Sequence, residues 1–128
     1  MILDSSVLVA LALDEPDRDA LVAKINQAET VGVGAPTLVE AGIVISARIG
    51  AEATEVLIEM VAVADGTVIE FGERHWHEAL AAWWRFGKSR HPAALNFGDC
   101  LSYATARIAA QPLLAKGDDF SKTDIALA

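Results

Sequence analysis

Five carboxylates stand where apolar runs end or helices begin: Asp4, Glu40, Asp99 and the adjacent pair Asp118 and Asp119. Asp4 follows Met1-Ile2-Leu3. Glu40 sits inside the run Leu38–Ile49, where a buried acid is costly unless it is paired, hydrogen-bonded or bound to a cation. Asp99 follows Gly98, and Asp118 and Asp119 follow Leu113–Lys116. Each has an ordinary explanation. Asp4 and Asp99 can serve helix starts, where negative charge is favoured. Thr37 and Glu40 have the spacing of a capping box, and aspartate is common in turns. Taken together they suggest more. Carboxylates gathered within a few ångströms repel one another, and a divalent cation removes that cost. An all-oxygen donor set, without a Cys/His cluster, points to Mg²⁺ or Mn²⁺ rather than zinc. Such a cation can activate water and stabilise charge on phosphate oxygens.

The elements that must position these acids follow from patterning. Met1–Leu3, Thr30–Gly34, Thr67–Phe71 and Leu113–Lys116 read as short buried strands. Helices are expected over Val7–Leu13, with Ser5 or Ser6 as cap, and from Pro16 to about Ala28. Further helices are expected to Ile49 ahead of Gly50, over Ala51–Ala64, over Arg74–Phe86 and over Asp99–Ala110. The helix carrying Glu40 is apolar almost all round and is therefore expected to be buried. Strands alternating with helices predict an α/β fold: a central parallel sheet with helices on both faces, in one domain spanning 1–128. Ligands of such sheets bind beyond the carboxyl ends of the strands, where Asp4 and Asp118 or Asp119 fall.

Composition bounds the rest. The 128 residues suit one domain, and Cys100 alone excludes an internal disulfide and is compatible with a reducing cytoplasm. Cys100 reads as a small buried thiol. The start of the chain does not read as a signal peptide, and no run is long and uncharged enough for a membrane span. His75 and His77 are about 200° apart on a helix and cannot share an ion; His91 reads as a loop histidine. The net charge of −8 argues against nucleic acid overall. Yet Ala79–Phe97 contains no acid, while Arg85, Lys88 and Arg90 interleave with Trp83, Trp84 and Phe86. That stretch is either an RNA contact or a solvated helix end. A Mg²⁺ phosphatase with Asp4 as nucleophile is one alternative, weakened by Ser6 where a second acid is usual. A non-catalytic acidic binding module is another.

Met-Ile-Leu-Asp-Ser-Ser at 1–6, Thr37–Glu40, Leu-Asn-Phe-Gly-Asp-Cys at 95–100 and Lys-Gly-Asp-Asp-Phe-Ser-Lys-Thr-Asp at 116–124 resemble PIN-domain nucleases. The stretch from Gly87 to Ala104 is similar to VapC toxins of VapBC toxin–antitoxin pairs. The resemblance covers essentially the whole chain. It implies a PIN-like three-layer sandwich and a Mg²⁺- or Mn²⁺-dependent endoribonuclease. It also implies a homodimer neutralised by a VapB-type antitoxin. The family's acids map onto Asp4, Glu40, Asp99 and one of the late aspartates; Asp118, nearer the strand end, is the expected one. The hydroxyl residue that many members carry before that acid is missing from Ala115-Lys116-Gly117.

Overall fold

The computed structural model describes all residues 1–128. Four strands form one parallel sheet: β1 (Ile2–Leu3), β2 (Val31–Gly34), β3 (Gly66–Ile69) and β4 (Leu113–Leu114), in the order β3-β2-β1-β4. Ile2 pairs with Gly32 on one side and Leu113 on the other; Leu3 pairs with Val33 and Leu114. Side chains of a strand alternate between faces. Accordingly Leu3 and Leu114 join one core cluster, with Val7, Leu8, Ala41, Ile45 and Leu57. Ile2 and Leu113 join the other, with Ala82, Phe86, Leu95 and Tyr103. Helices α1 (Ser5–Ala12), α2 (Arg18–Asn26), α3 (Ala35–Ile49) and α4 (Thr54–Val63) supply the first layer. Helices α5 (Glu73–Phe86) and α6 (Phe97–Ala109) supply the second. The expected α/β sandwich is the observed one. No helix is long and apolar enough to cross a membrane.

Several boundaries differ from expectation for local reasons. Helix α1 begins at Ser5, not Val7: Asp4 is its cap, and Asp4 Oδ2 accepts from Ser6 N at 3.0 Å. Pro16 and Asp17 stay outside α2, where the Lys116 ammonium ties down Glu15 and Asp17. Helix α3 begins before the expected Thr37 cap, at Ala35 after extended Gly34, with Pro36 in its first turn. The Thr37–Glu40 capping box is therefore not formed. Thr37 is buried, its hydroxyl 3.4 Å from that of Ser102. Nor is α3 buried all round: Val39 and Ile43 are 62% and 66% exposed. Helix α4 starts at Thr54 rather than Ala51, since the Glu52 carboxylate accepts from Thr54 N at 2.9 Å.

Beyond β4 the chain turns through Phe120–Lys122, and Leu127 then runs alongside Leu113. Leu113 N donates to Ala126 O at 2.8 Å, and Ala128 N donates to Leu113 O at 3.0 Å. The last residues thus cover the outer edge of β4, which would otherwise present unpaired backbone groups.

Candidate active site

Asp4 leaves the carboxyl end of a central strand and enters a helix in one step, so its side chain is held between sheet and helix. It is 4% exposed. Oδ2 is satisfied: it accepts from Ser6 N at 3.0 Å and from the Ser6 hydroxyl at 2.6 Å. The same hydroxyl accepts from Lys116 N at 3.0 Å, tying the ends of β1 and β4 together. Oδ1 is buried without any partner. An uncompensated buried carboxylate oxygen costs several kilocalories in an apolar setting, and buried charges are normally paired or bound to a metal.

Glu40 lies in the second turn of α3. Its Oε2 is also buried and unpartnered. Burial pushes its pKa above the ordinary glutamate range, Ser5 pulls partly the other way, and the Asp4 charge adds to the rise. The Glu40 carboxylate lies directly against Gly98: a Cβ on Gly98 would overlap it. The expected sites did not include Gly98, yet only glycine leaves room for this carboxylate beside α6. Nothing in the sequence beyond a small residue before Asp99 signals that role.

Asp99 occupies the first turn of α6. Asp99 N donates to Asn96 Oδ1 at 3.0 Å, and Asn96 N donates to Asp99 Oδ2 at 2.7 Å, a reciprocal cap that fixes the acid's direction. Its pKa is raised to about 6, first by burial and then by the charges of Asp4, Asp119 and Glu40; the Asn96 backbone opposes the rise. Asp4, Glu40 and Asp99 are thus within electrostatic reach of one another. Of the late acids, both exposed, Asp119 is the one whose charge reaches Asp99, and it also lies 4.0 Å from the Lys122 ammonium. No three acids are drawn together tightly enough to hold an ion directly between them. A hard divalent cation tolerates that arrangement, because it keeps several waters and uses one or two carboxylates. With two orphaned carboxylate oxygens and raised pKa values, the donor set fits such an ion.

The basic stretch divides. Arg85 is not free: it donates to Asp124 Oδ2 at 2.7 Å, while Tyr103, fully buried, donates its hydroxyl to Asp124 Oδ1 at 2.5 Å. Arg85 thereby fastens the C-terminal segment to α5 and α6, so its guanidinium is already paired. Asp124→Ala should lower stability by about 2–4 kcal/mol, since two charge-assisted bonds are lost and a buried hydroxyl is left unpaired. Arg85→Ala, acting at a partly exposed pair, should cost less. Denaturant unfolding of the two variants checks the order; a larger loss for Arg85→Ala would contradict it. Lys88 is exposed, and the Arg90 guanidinium stacks over the Trp84 and Trp83 rings at 3.8 and 4.6 Å. His91 Nδ1 accepts from Ala93 N at 3.1 Å, in a loop role. Cys100 is buried, and burial raises its pKa to about 11, so it is no nucleophile.

Known proteins share this sequence and fold. The family model described as PIN domain matches residues 1–126. Ribonuclease VapC36 of Mycobacterium tuberculosis is 41% identical over 126 residues, covering 98% of this chain and 91% of that protein. A ribonuclease VapC of Mycolicibacterium smegmatis is 36% identical over 126 residues, covering 98% of both. Among solved structures, M. tuberculosis VapC20, a Sarcin-Ricin loop cleaving toxin, superposes with a TM-score of 0.79 at 17% identity. It covers 99% of this chain and 97% of its own. A toxin–antitoxin complex from Klebsiella pneumoniae gives 0.71 at 16%, covering 99% and 95%. At such identities the superpositions speak for the fold, and the closer sequence relatives speak for the family.

Proposed function

From the premise that this chain belongs to the PIN-domain family, we propose that it is a divalent-metal-dependent endoribonuclease, the toxin of a toxin–antitoxin pair. The observation that carries the reading is the pair of buried, unpartnered oxygens, Asp4 Oδ1 and Glu40 Oε2, beside Asp99 at the carboxyl edge of the sheet. Asp4 and Asp99 would hold Mg²⁺, with Mn²⁺ as substitute, directly or through water, and Glu40 and Asp119 would complete the acidic wall; Asp118 is the less suited late acid. A bound divalent cation supplies charge stabilisation at the phosphate and a water of lowered pKa. The protein's own residues hold the carboxylates apart and pointed inward. Ser6 fixes Asp4, Asn96 fixes Asp99, and Gly98 admits Glu40. Ser6 also counts against an aspartyl phosphatase. The position where a second acid is usual carries a hydroxyl already committed to Asp4 and Lys116.

Sequencing of RNA ends after brief expression tests the reading. New, position-specific ends are expected with the wild type; their absence would remove the nuclease assignment. A second measurement reads the metal. The raised pKa values of Asp99 and Glu40 mean that the folded chain keeps protons the unfolded chain has lost. Without metal, stability should therefore fall as pH rises from about 4 to about 6. A cation binds the ionised form, so its stabilisation should be full above about pH 6 and fade below it. Thermal unfolding with millimolar Mg²⁺ should show a larger rise in Tm near pH 7.5 than near pH 5. An equal shift at both would sink the carboxylate assignment.

The partner reading rests on α3 and α4. With β3 they frame an apolar cleft of about 930 Å³, lined by Leu38, Val39, Ile43, Leu57, Ile58 and Val68 among others. Exposed apolar surface of this size marks protein contacts. A homodimer, and an antitoxin that sends an Arg or Lys in among Asp4, Glu40 and Asp99, would satisfy both the cleft and the unbalanced acids. Lys88 and Arg90 would contact the RNA backbone. Light scattering should find a dimer at tens of micromolar, and a monomer would contradict it.

A further inference from the structure

A second cavity, of about 330 Å³, opens between α5 and the first turn of α6. Its lining is wholly apolar, three of its seven residues being aromatic: Trp76 and Trp83 on α5, with Ala79 and Leu80, face Phe97 on α6, with Cys100 and Leu101. Phe97 is 80% exposed, a large ring held in water at the mouth of the cavity. Trp83 has two roles. One part of it walls the cavity, and over its ring the Arg90 guanidinium stacks at 4.6 Å. Neither Arg90 nor Lys88 has a carboxylate partner, and no acid lies between Ala79 and Phe97.

We propose that this cavity is a nucleobase subsite, taking one unpaired base of a single-stranded RNA whose neighbouring phosphates lie on Arg90 and Lys88. The inference rests on the ribonuclease reading and deepens it. Two properties separate this cavity from the α3–α4 cleft. Three of its seven lining residues are aromatic, surfaces on which any base stacks, and a cation, Arg90, sits on one of its walls in an otherwise acidic protein. The cleft contains no aromatic ring, and its only charged lining residue is Glu52. The cavity also shares the first turn of α6 with Asp99. Around that helix, Phe97 lies about 200° from Asp99. The bound base is therefore not the one flanking the scissile phosphate on the same side. The strand must cross the exposed N-terminal end of α6, over Asn96 and Phe97, before reaching the acids. A strand paired in a duplex could not splay a base this way, so the subsite selects loops or unpaired segments.

All three tryptophans lie on α5 and two line the cavity, so their fluorescence reports its occupancy. A short single-stranded oligoribonucleotide is titrated into Asp4→Asn protein, which should bind without cleaving. Tryptophan quenching should saturate, and Phe97→Ala should weaken binding by about 5- to 100-fold, the value of one stacked base. Phe97→Trp should retain the affinity. The same oligoribonucleotide made abasic one position at a time should show a comparable loss at a single position, and that loss should vanish in Phe97→Ala. If abasic substitution at no position matters more in the presence of Phe97 than in its absence, the subsite is overturned. It is overturned equally if Phe97→Ala only converts a dimer to monomer in light scattering, which would make the patch a contact between copies. RNA that neither binds nor is cleaved by wild type would overturn the nuclease reading itself, whereas cleavage with full indifference to Phe97 would overturn the subsite alone.

Discussion

Asp4→Asn should lower RNA cleavage by more than about 100-fold, because loss of even an outer partner of a metal ligand costs about 10–100-fold. The fold should survive. Asn is as good a helix cap as Asp, and its amide oxygen can still accept from Ser6 N and the Ser6 hydroxyl. The orphaned Oδ1, which has nothing to lose among protein groups, becomes an amide nitrogen. Removing the charge also relieves Asp99 and Glu40, both of whose pKa values are raised in part by Asp4. The metal-free variant should therefore be at least as stable as wild type near neutral pH, while the rise in Tm on adding Mg²⁺ should shrink or vanish. The combination is what separates a ligand from a cap. A cap alone predicts unchanged stability, since asparagine caps equally well, with the metal response intact; a metal ligand predicts that the response is lost. Cleavage at the wild-type rate in Mg²⁺ would remove Asp4 from the site.

The sheet and its occupied edge were legible because the relevant signals are short and local. Three apolar residues ended by Asp4, and two leucines before a Gly-Asp-Asp turn, fit buried strands ending in polar loops. The parallel arrangement then brings both ends to one edge. What was not legible depends on residues far apart in the chain. Arg85 looked free for RNA because its partner, Asp124, lies 39 residues on, beyond a turn no periodicity describes. Asp118 is the late acid nearer the strand end. Gly117, at a positive φ of 84°, redirects the chain there, and the charge felt at Asp99 is that of Asp119. The Thr37–Glu40 spacing matched a capping box, but Pro36 fits the first turn of a helix, so α3 could start earlier, after extended Gly34. That shift moved Thr37 inside and left the Glu40 carboxylate without its expected backbone partner. The spacing that resembled a cap instead sets a buried carboxylate against Gly98.

Gly98→Ala should separate activity from stability in the opposite sense to an ordinary core mutation. Gly98 has no positive φ, so alanine meets no backbone penalty; the conflict is entirely with the Glu40 carboxylate that its methyl would overlap. That carboxylate is the far end of a flexible side chain, and it can swing away more cheaply than α6 can move. Once displaced, Glu40 leaves a site where burial and the Asp4 charge oppose its ionisation. Alanine also suits a helix better than glycine by about 0.5–1 kcal/mol, less in a first turn. The melting temperature should thus stay level or rise. Cleavage should fall by about 100-fold, the penalty for misplacing a catalytic group by an ångström or so. Gly98→Ser offers a second probe: its hydroxyl could donate to Glu40 Oε2 and should lose less stability than its bulk suggests, yet it too must move the carboxylate. Should Gly98→Ala cleave RNA as fast as wild type with the same dependence on Mg²⁺ concentration, Glu40 would be a tolerated buried acid rather than part of the site. The acidic wall would then reduce to Asp4, Asp99 and Asp119.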